Sequence, residues 1–184
     1  MGTLVERLAR DRIGETFNQY RDPRLAERLD AYLEGRTHAR VLLVGEAAGY
    51  RGARVSGIPF TSERQLTGTG PAEASATVVH AALRELGVED DVLLWNVVPT
   101  HPGTATTNRR PTRGEIATGT AYARELARGR LVLAAGRIAE AALGARYVRH
   151  PSHGGAPEFR RGLRSALDSA TMRPRRPRGR PFCA

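Results

Sequence analysis

Three polar residues stand at the ends of apolar runs, where a fold can turn side chains to chemical use: Glu46, Asn96 and His150. A carboxylate can act as a general base or as an electrostatic partner. A carboxamide donates and accepts at once, which matches the amide-like edge of a base. An imidazole can donate to a developing anion. Taken singly, each residue has an ordinary reading. Glu46 could cap the next turn, Asn96 could steady a strand end, and His150 before Pro151 could shape a loop.

The case for a shared site rests on the elements that would carry them. Ala39–Gly45 and Asp91–Val97 are short apolar runs, as expected of parallel strands buried on both faces. Arg130–Gly136 reads as a third strand and residues 145–149 as a fourth. Helical spacing covers residues 3–34, with Pro23 placed to begin a second helix and Gly35 to end it. Further helices are expected at 73–86, 112–127, from Ile138, and at 158–170. Thr112 with Glu115 forms a capping-box pattern. Two stretches lack periodicity, Glu46 to Pro71 and Pro99 to Pro111. Loops of that length in a compact domain are often functional. Strands alternating with helices predict a three-layer α/β/α sandwich around a mostly parallel four-stranded sheet. Ligands of such folds bind beyond the carboxyl ends of the strands, where Glu46, Asn96 and His150 would converge.

The chain has 184 residues with a net charge of +10, from 29 basic and 19 acidic residues, the positive charge being carried by arginine. An arginine-rich surface suits a polyanion, because guanidinium forks match phosphate oxygens and binding releases counterions. High-GC codon usage produces the same enrichment, so charge alone leaves two readings open. The single cysteine, Cys183, excludes an internal disulfide, a cysteine-based zinc site and an iron–sulfur cluster within one chain. No apolar run approaches the roughly 20 residues of a membrane span, and the N-terminus lacks a signal-peptide core. Residues 1–170 are expected to form one domain in the cytoplasm, and 171–184 a basic, disordered tail.

In chain order these segments resemble the uracil-DNA glycosylase superfamily, and most closely its family 4, the thermophile-type enzymes. Gly45-Glu46-Ala47-Ala48-Gly49 is similar to that family's Gly-Glu-Ala-Pro-Gly motif, with Ala48 in place of proline. Gly57-Ile58-Pro59-Phe60 matches Gly-x-Pro-Phe, and Asn96-Val97-Val98 matches Asn-Val-Val. Asn108-Arg109-Arg110-Pro111 with Glu115 matches Asn-Arg-x-Pro-x-x-x-Glu, and His150-Pro151-Ser152 matches His-Pro-Ser.

The resemblance implies removal of uracil from single- or double-stranded DNA by a monomer that needs no cofactor or metal. It implies that Phe60 stacks on a flipped base, Asn96 reads its edge, and His150 stabilises the leaving anion. Gly45, Glu46 and Ala47 would hold the sugar side and position water, with Tyr50 as a wall of the base pocket. Ser62, Asn108, Arg109, Pro151, Ser152 and His153 would contact the DNA. The family's cluster cysteines are absent, and its acidic pair after the first motif is replaced by Tyr50-Arg51-Gly52-Ala53-Arg54. Glu46 is then the one acid of that stretch and the first candidate for positioning water. Asn108 stands where the covalent, DNA-trapping branch has a histidine, which argues against trapping. Hypoxanthine or another deaminated base is an alternative substrate, and a non-catalytic damaged-base binder an alternative role. Trp95, among apolar neighbours, is expected in the core.

Overall fold

The computed structural model describes residues 2–170; the expected tail at 171–184 lies outside the described residues. Helix α1 (Leu4–Arg10) opens with a capping box between Thr3 and Glu6, and α2 (Pro23–Gly35) starts on Asp22 with Pro23 in its first turn. The helical pattern of residues 3–34 therefore breaks in the middle. The Asn18 amide donates to the Leu8 carbonyl at 2.7 Å and to the Asp11 carbonyl at 3.1 Å. These carbonyls at the end of α1 are satisfied by a side chain, so the helix has no need to continue.

Strand β1 (Val41–Ala47) leads through two short helices, α3 (Ala53–Ser56) and α4 (Glu63–Thr67), to α5 (Ala74–Leu86). Strand β2 (Val92–Val98) leads to α6 (Arg113–Ala127). Strand β3 (Leu131–Ala135), α7 (Arg137–Leu143), β4 (Arg146–Val148) and α8 (Ala156–Ser169) complete the described chain. The expected capping box of Thr112 and Glu115 is present at the start of α6, and Gly87 ends α5 in a left-handed conformation.

The sheet runs β2-β1-β3-β4 with every pairing parallel. Alternate residues of each strand face opposite layers. Leu42, Val44, Leu93 and Trp95 join Leu8, Leu29 and Tyr122 in one core, under α1, α2 and α6. Val41, Leu43, Val92 and Leu94 join Val79, Leu83, Phe159 and Leu163 in the other, under α5 and α8. This is the three-layer sandwich. Trp95 is fully buried, as its apolar neighbours predict. The chain leaves β1 toward β2 on one side, and β3 lies on the other. A crevice opens at that switch point, beyond the carboxyl ends of β1 and β3.

Residues 13–20 run behind this crevice and are tied to three of its supporting segments. Phe17 and His101 exchange backbone hydrogen bonds at 2.9 Å each. The Gln19 amide donates to the Pro99 carbonyl at 2.9 Å, and the Tyr20 hydroxyl to the Gly57 carbonyl at 3.1 Å. The Glu15 N–H donates to the Glu115 carboxylate at 3.3 Å. Among the described residues no helix is long and apolar enough to cross a membrane.

Candidate active site

A cleft of about 430 Å³ occupies the switch point. Its floor depends on Gly45. A Cβ built there would lie 2.3 Å from Phe60 Cζ and 2.8 Å from Asn96 Oδ1. Glycine is what lets the ring and the carboxamide meet over β1. Phe60 is buried with φ +52, a left-handed conformation that costs a non-glycine residue roughly 1–2 kcal/mol. The turn around it is over-determined. Ser56 Oγ donates to the Thr61 carbonyl at 2.6 Å, and Thr61 Oγ1 donates to the Pro59 carbonyl at 3.1 Å. His80 Nε2 lies 3.0 Å from the Thr61 hydroxyl, and burial pushes the His80 imidazole toward its neutral form. With the hydroxyl proton directed at Pro59, the ring N–H donates to Thr61.

His150 enters from the end of β4, its ring centroid 6.2 Å from that of Phe60. The backbone N–H of Ser152 donates to His150 Nδ1 at 3.2 Å. An N–H cannot accept, so the neutral ring carries its proton on Nε2. Burial, with Arg149 and His153 nearby, holds the His150 pKa down to about 4. At neutral pH the cleft therefore contains an uncharged Nε2–H donor. Asn96 is buried at 3% exposure. Among the described residues its carboxamide has no hydrogen-bonding partner, and its donor and acceptor remain available to a ligand.

The first loop is clamped by backbone geometry. The Ala48 N–H donates to the Val98 carbonyl at 3.2 Å. Proline has no such hydrogen, so alanine at this position of the motif gains a bond. His101 Nδ1 lies 2.7 Å from the Ala48 carbonyl on the other side. His101 is buried, and it shapes the loop. Glu46 lines the cleft half-buried; burial raises its pKa and the nearby Arg110 charge partly offsets this.

The Asn-Arg-x-Pro-x-x-x-Glu pattern has a structural reason. Asn108 Oδ1 accepts from the Tyr50 N–H at 3.0 Å, joining the second loop to the first. The Arg109 guanidinium grips Glu115 with two bonds of 2.6 and 2.8 Å. These bonds and the Thr112 N–H hold the Glu115 pKa down to about 2. Asn108 and Arg109 line the cleft, as do Ala47, Ser152 and His153.

Four of the expected site residues lie outside the lining, Gly45 being buried beneath Phe60 and Asn96. Ser62 is fully buried as the N-cap of α4, its hydroxyl bonded to Gln65 at 2.9 Å, so no phosphate can reach it. Tyr50 is not part of the cleft lining; the Arg51 guanidinium lies 5.2 Å from its ring centroid. Pro151 is buried behind the lining and acts through the shape of its loop.

The structure also adds residues that the sequence did not single out. Arg137, Tyr147 and Arg149 line one wall, with the Arg137 guanidinium 4.1 Å from the Tyr147 ring centroid. Glu73, at the start of α5, supplies a second carboxylate. Nothing in the local sequence marks it, because it reaches the cleft only through the path of the chain after β1. Among the described residues no group of three or more His, Cys, Asp or Glu side chains could hold a metal ion.

Residues 33–174 match the family model described as the Uracil DNA glycosylase superfamily. The chain belongs to this superfamily. Its members are DNA glycosylases, which act on DNA. Among solved structures the chain is similar to wild-type SMUG2 of Pedobacter heparinus, with a TM-score of 0.68 and 14% identity. The similarity covers 93% of this chain and 99% of that one, and it supports the superfamily fold. No curated protein sequence matches the chain. Within the superfamily frame, three of the motifs quoted above fall at the carboxyl ends of β1, β2 and β4; residues 57–60 lie between α3 and α4, and residues 108–115 lead into α6.

Proposed function

We propose that this chain is a monofunctional uracil-DNA glycosylase, which hydrolyses the bond between uracil and deoxyribose and leaves an abasic site. The observation that carries this reading is the pairing of a neutral His150 Nε2–H with the unpartnered Asn96 carboxamide beside the Phe60 ring.

Breaking an N-glycosidic bond gives an oxocarbenium-like sugar and an anionic base. The base must first leave the duplex, at a cost of a few kcal/mol recovered in the pocket. Phe60 offers a face for stacking, and Asn96 can accept from the uracil N3–H while donating to O4. His150 can donate to O2 as charge develops there. A neutral donor suits this role, since it stabilises the anion without first binding a carboxylate of the cleft. A preorganised donor of this kind contributes roughly 10²–10³ in rate. Glu46 sits on the sugar side, where a carboxylate offsets the positive charge of the transition state. Ser152, His153, Asn108 and Arg109 are at the rim, suited to the strand on either side of the flipped nucleotide. The reading includes a monomer acting in the cytoplasm without a cofactor.

The test is a panel of labelled single- and double-stranded oligonucleotides carrying uracil, hypoxanthine, xanthine or 5-substituted uracils, followed by alkali. Strand breaks at uracil support the proposal. Breaks at hypoxanthine alone would replace uracil by that base, and no break on any substrate would leave a damaged-base binder.

A further inference from the structure

Glu73 is the N-cap residue of α5 by position, yet its side chain makes no capping bond. The carboxylate instead turns across the loop after β1. A Cβ built on Gly49 would lie 2.1 Å from one of its oxygens, and a Cβ on Gly52 would lie 2.1 Å from the other. A side chain at either position would displace the carboxylate from where it sits. Neither glycine has a left-handed φ. Gly45 makes the same kind of room for Phe60 and Asn96 at the other end of the same loop. The loop thus spans from a base-sized platform to a carboxylate.

We propose that Glu73 is the catalytic residue that holds and deprotonates the attacking water. The proposal rests on the glycosylase reading. In the step, the water oxygen bonds to C1′ and the C1′–N1 bond breaks. Its electron pair leaves on the base, where His150 stabilises it, and the water proton passes to Glu73.

Two carboxylates line the cleft, and their surroundings divide the work. Glu46 has the Arg110 charge nearby, which favours its ionised form and suits electrostatic support of the sugar. Glu73 is raised by burial with no opposing charge, which strengthens it as a base. The other titratable groups lining the cleft are Arg109, Arg137, Tyr147, Arg149, His150 and His153. Among the described residues none of them forms an ion pair or hydrogen bond with Glu73. Glu73 is half-buried, and a carboxylate partly withdrawn from water without a partner is costly to keep; a site that uses it is a sufficient reason to keep it. Burial raises both acids, and only Glu46 has an opposing charge to offset it.

The experiment compares wild type, Glu73→Gln, Glu73→Ala and Glu46→Gln in single-turnover excision of uracil, with DNA binding measured by fluorescence anisotropy. General-base loss costs roughly 10²–10⁴ in rate. Glu73→Gln is expected to lose at least about 10² in the chemical rate while binding uracil-DNA as tightly as wild type. The acid limb of the wild-type pH profile is expected to disappear in Glu73→Gln and to persist in Glu46→Gln. Formate is expected to restore part of the Glu73→Ala rate, since that change leaves a hole beside Gly49 and Gly52. A purely structural role would move neither the acid limb nor the formate response. A Glu73→Gln rate within threefold of wild type, or an unaltered acid limb, overturns the proposal while the glycosylase reading stands. A wild type inactive on every substrate overturns both. If Glu73→Gln does not fold, the formate response of Glu73→Ala decides, and no response overturns the proposal.

Discussion

Gly45→Ala adds one methyl group at the floor of the cleft, and the structure says where it would go. The new carbon would stand 2.3 Å from Phe60 Cζ, 2.7 Å from Phe60 Cε2 and 2.8 Å from Asn96 Oδ1. Ordinary carbon contacts lie near 3.5–4.0 Å, so the ring must retreat by roughly 1 Å or more. It has little freedom to do so. Phe60 is 6% exposed and is fixed by the hydrogen-bonded turn of Ser56 and Thr61. Overpacking of this kind costs about 1–3 kcal/mol in stability. A displacement near 1 Å at a reacting centre costs about 10² in rate. We therefore expect Gly45→Ala to lower kcat/KM on uracil-DNA about 100-fold, with a smaller fall in urea midpoint. The control is Gly114→Ala in α6, where an added Cβ meets nothing within 4 Å. That variant should be fully active and up to about 1 kcal/mol more stable, the ordinary gain of alanine over glycine in a helix. A Gly45→Ala enzyme within twofold of wild type would refute the view that Phe60 and Asn96 must meet over a bare backbone.

Other outcomes follow from the same geometry. His150→Gln should lower the rate about 10²-fold or more through loss of the donor to the leaving anion. His150 also gives a pH signature in stability. Its folded pKa, about 4, lies below the ordinary histidine value of 6.5, so the unfolded chain binds the proton more readily. Stability should fall as pH drops from 6.5 to 4, with the full cost of about 3 kcal/mol reached below pH 4. The Gln variant should lose that part of the slope; identical urea midpoints against pH in both proteins would contradict it. Glu115→Ala should destabilise by about 3 kcal/mol, because it leaves Arg109 and two backbone N–H groups without their acceptor. The folded pKa of Glu115 is depressed to about 2, so its contribution is present above pH 4.5 and is lost as pH falls through 2. Chemical denaturation at pH 7 and pH 3 would measure both.

The sheet was legible because its strands are buried on both faces and read as uninterrupted apolar runs, as Val41–Val44 and Val92–Trp95 do. Glu46, Asn96 and His150 were legible because each stands at the end of such a run, where a parallel sheet exposes its ligands. Ser62 is buried as a cap for a local reason: a serine before a short helix serves equally as a cap or as a phosphate contact, and only burial separates the two. Tyr50 lies outside the cleft lining, with Arg51 beside its ring, and a loop residue's direction is not something periodicity reports. Glu73 escaped notice because its meaning lies in two distant glycines that leave room for it.

The ties made by residues 13–20 bear on what counts as the functional unit. The superfamily match begins at residue 33. Yet Phe17 is paired with His101, which carries the Ala48 loop, while Tyr20 braces Gly57 and Glu15 braces Glu115. The region matched by the family model and the mechanical support of the site therefore have different boundaries. A version trimmed to the matched region would keep every motif residue and lose the strap that holds three of their segments in register. Its expected defect is a cleft that binds and cuts slowly while the sheet beneath stays folded.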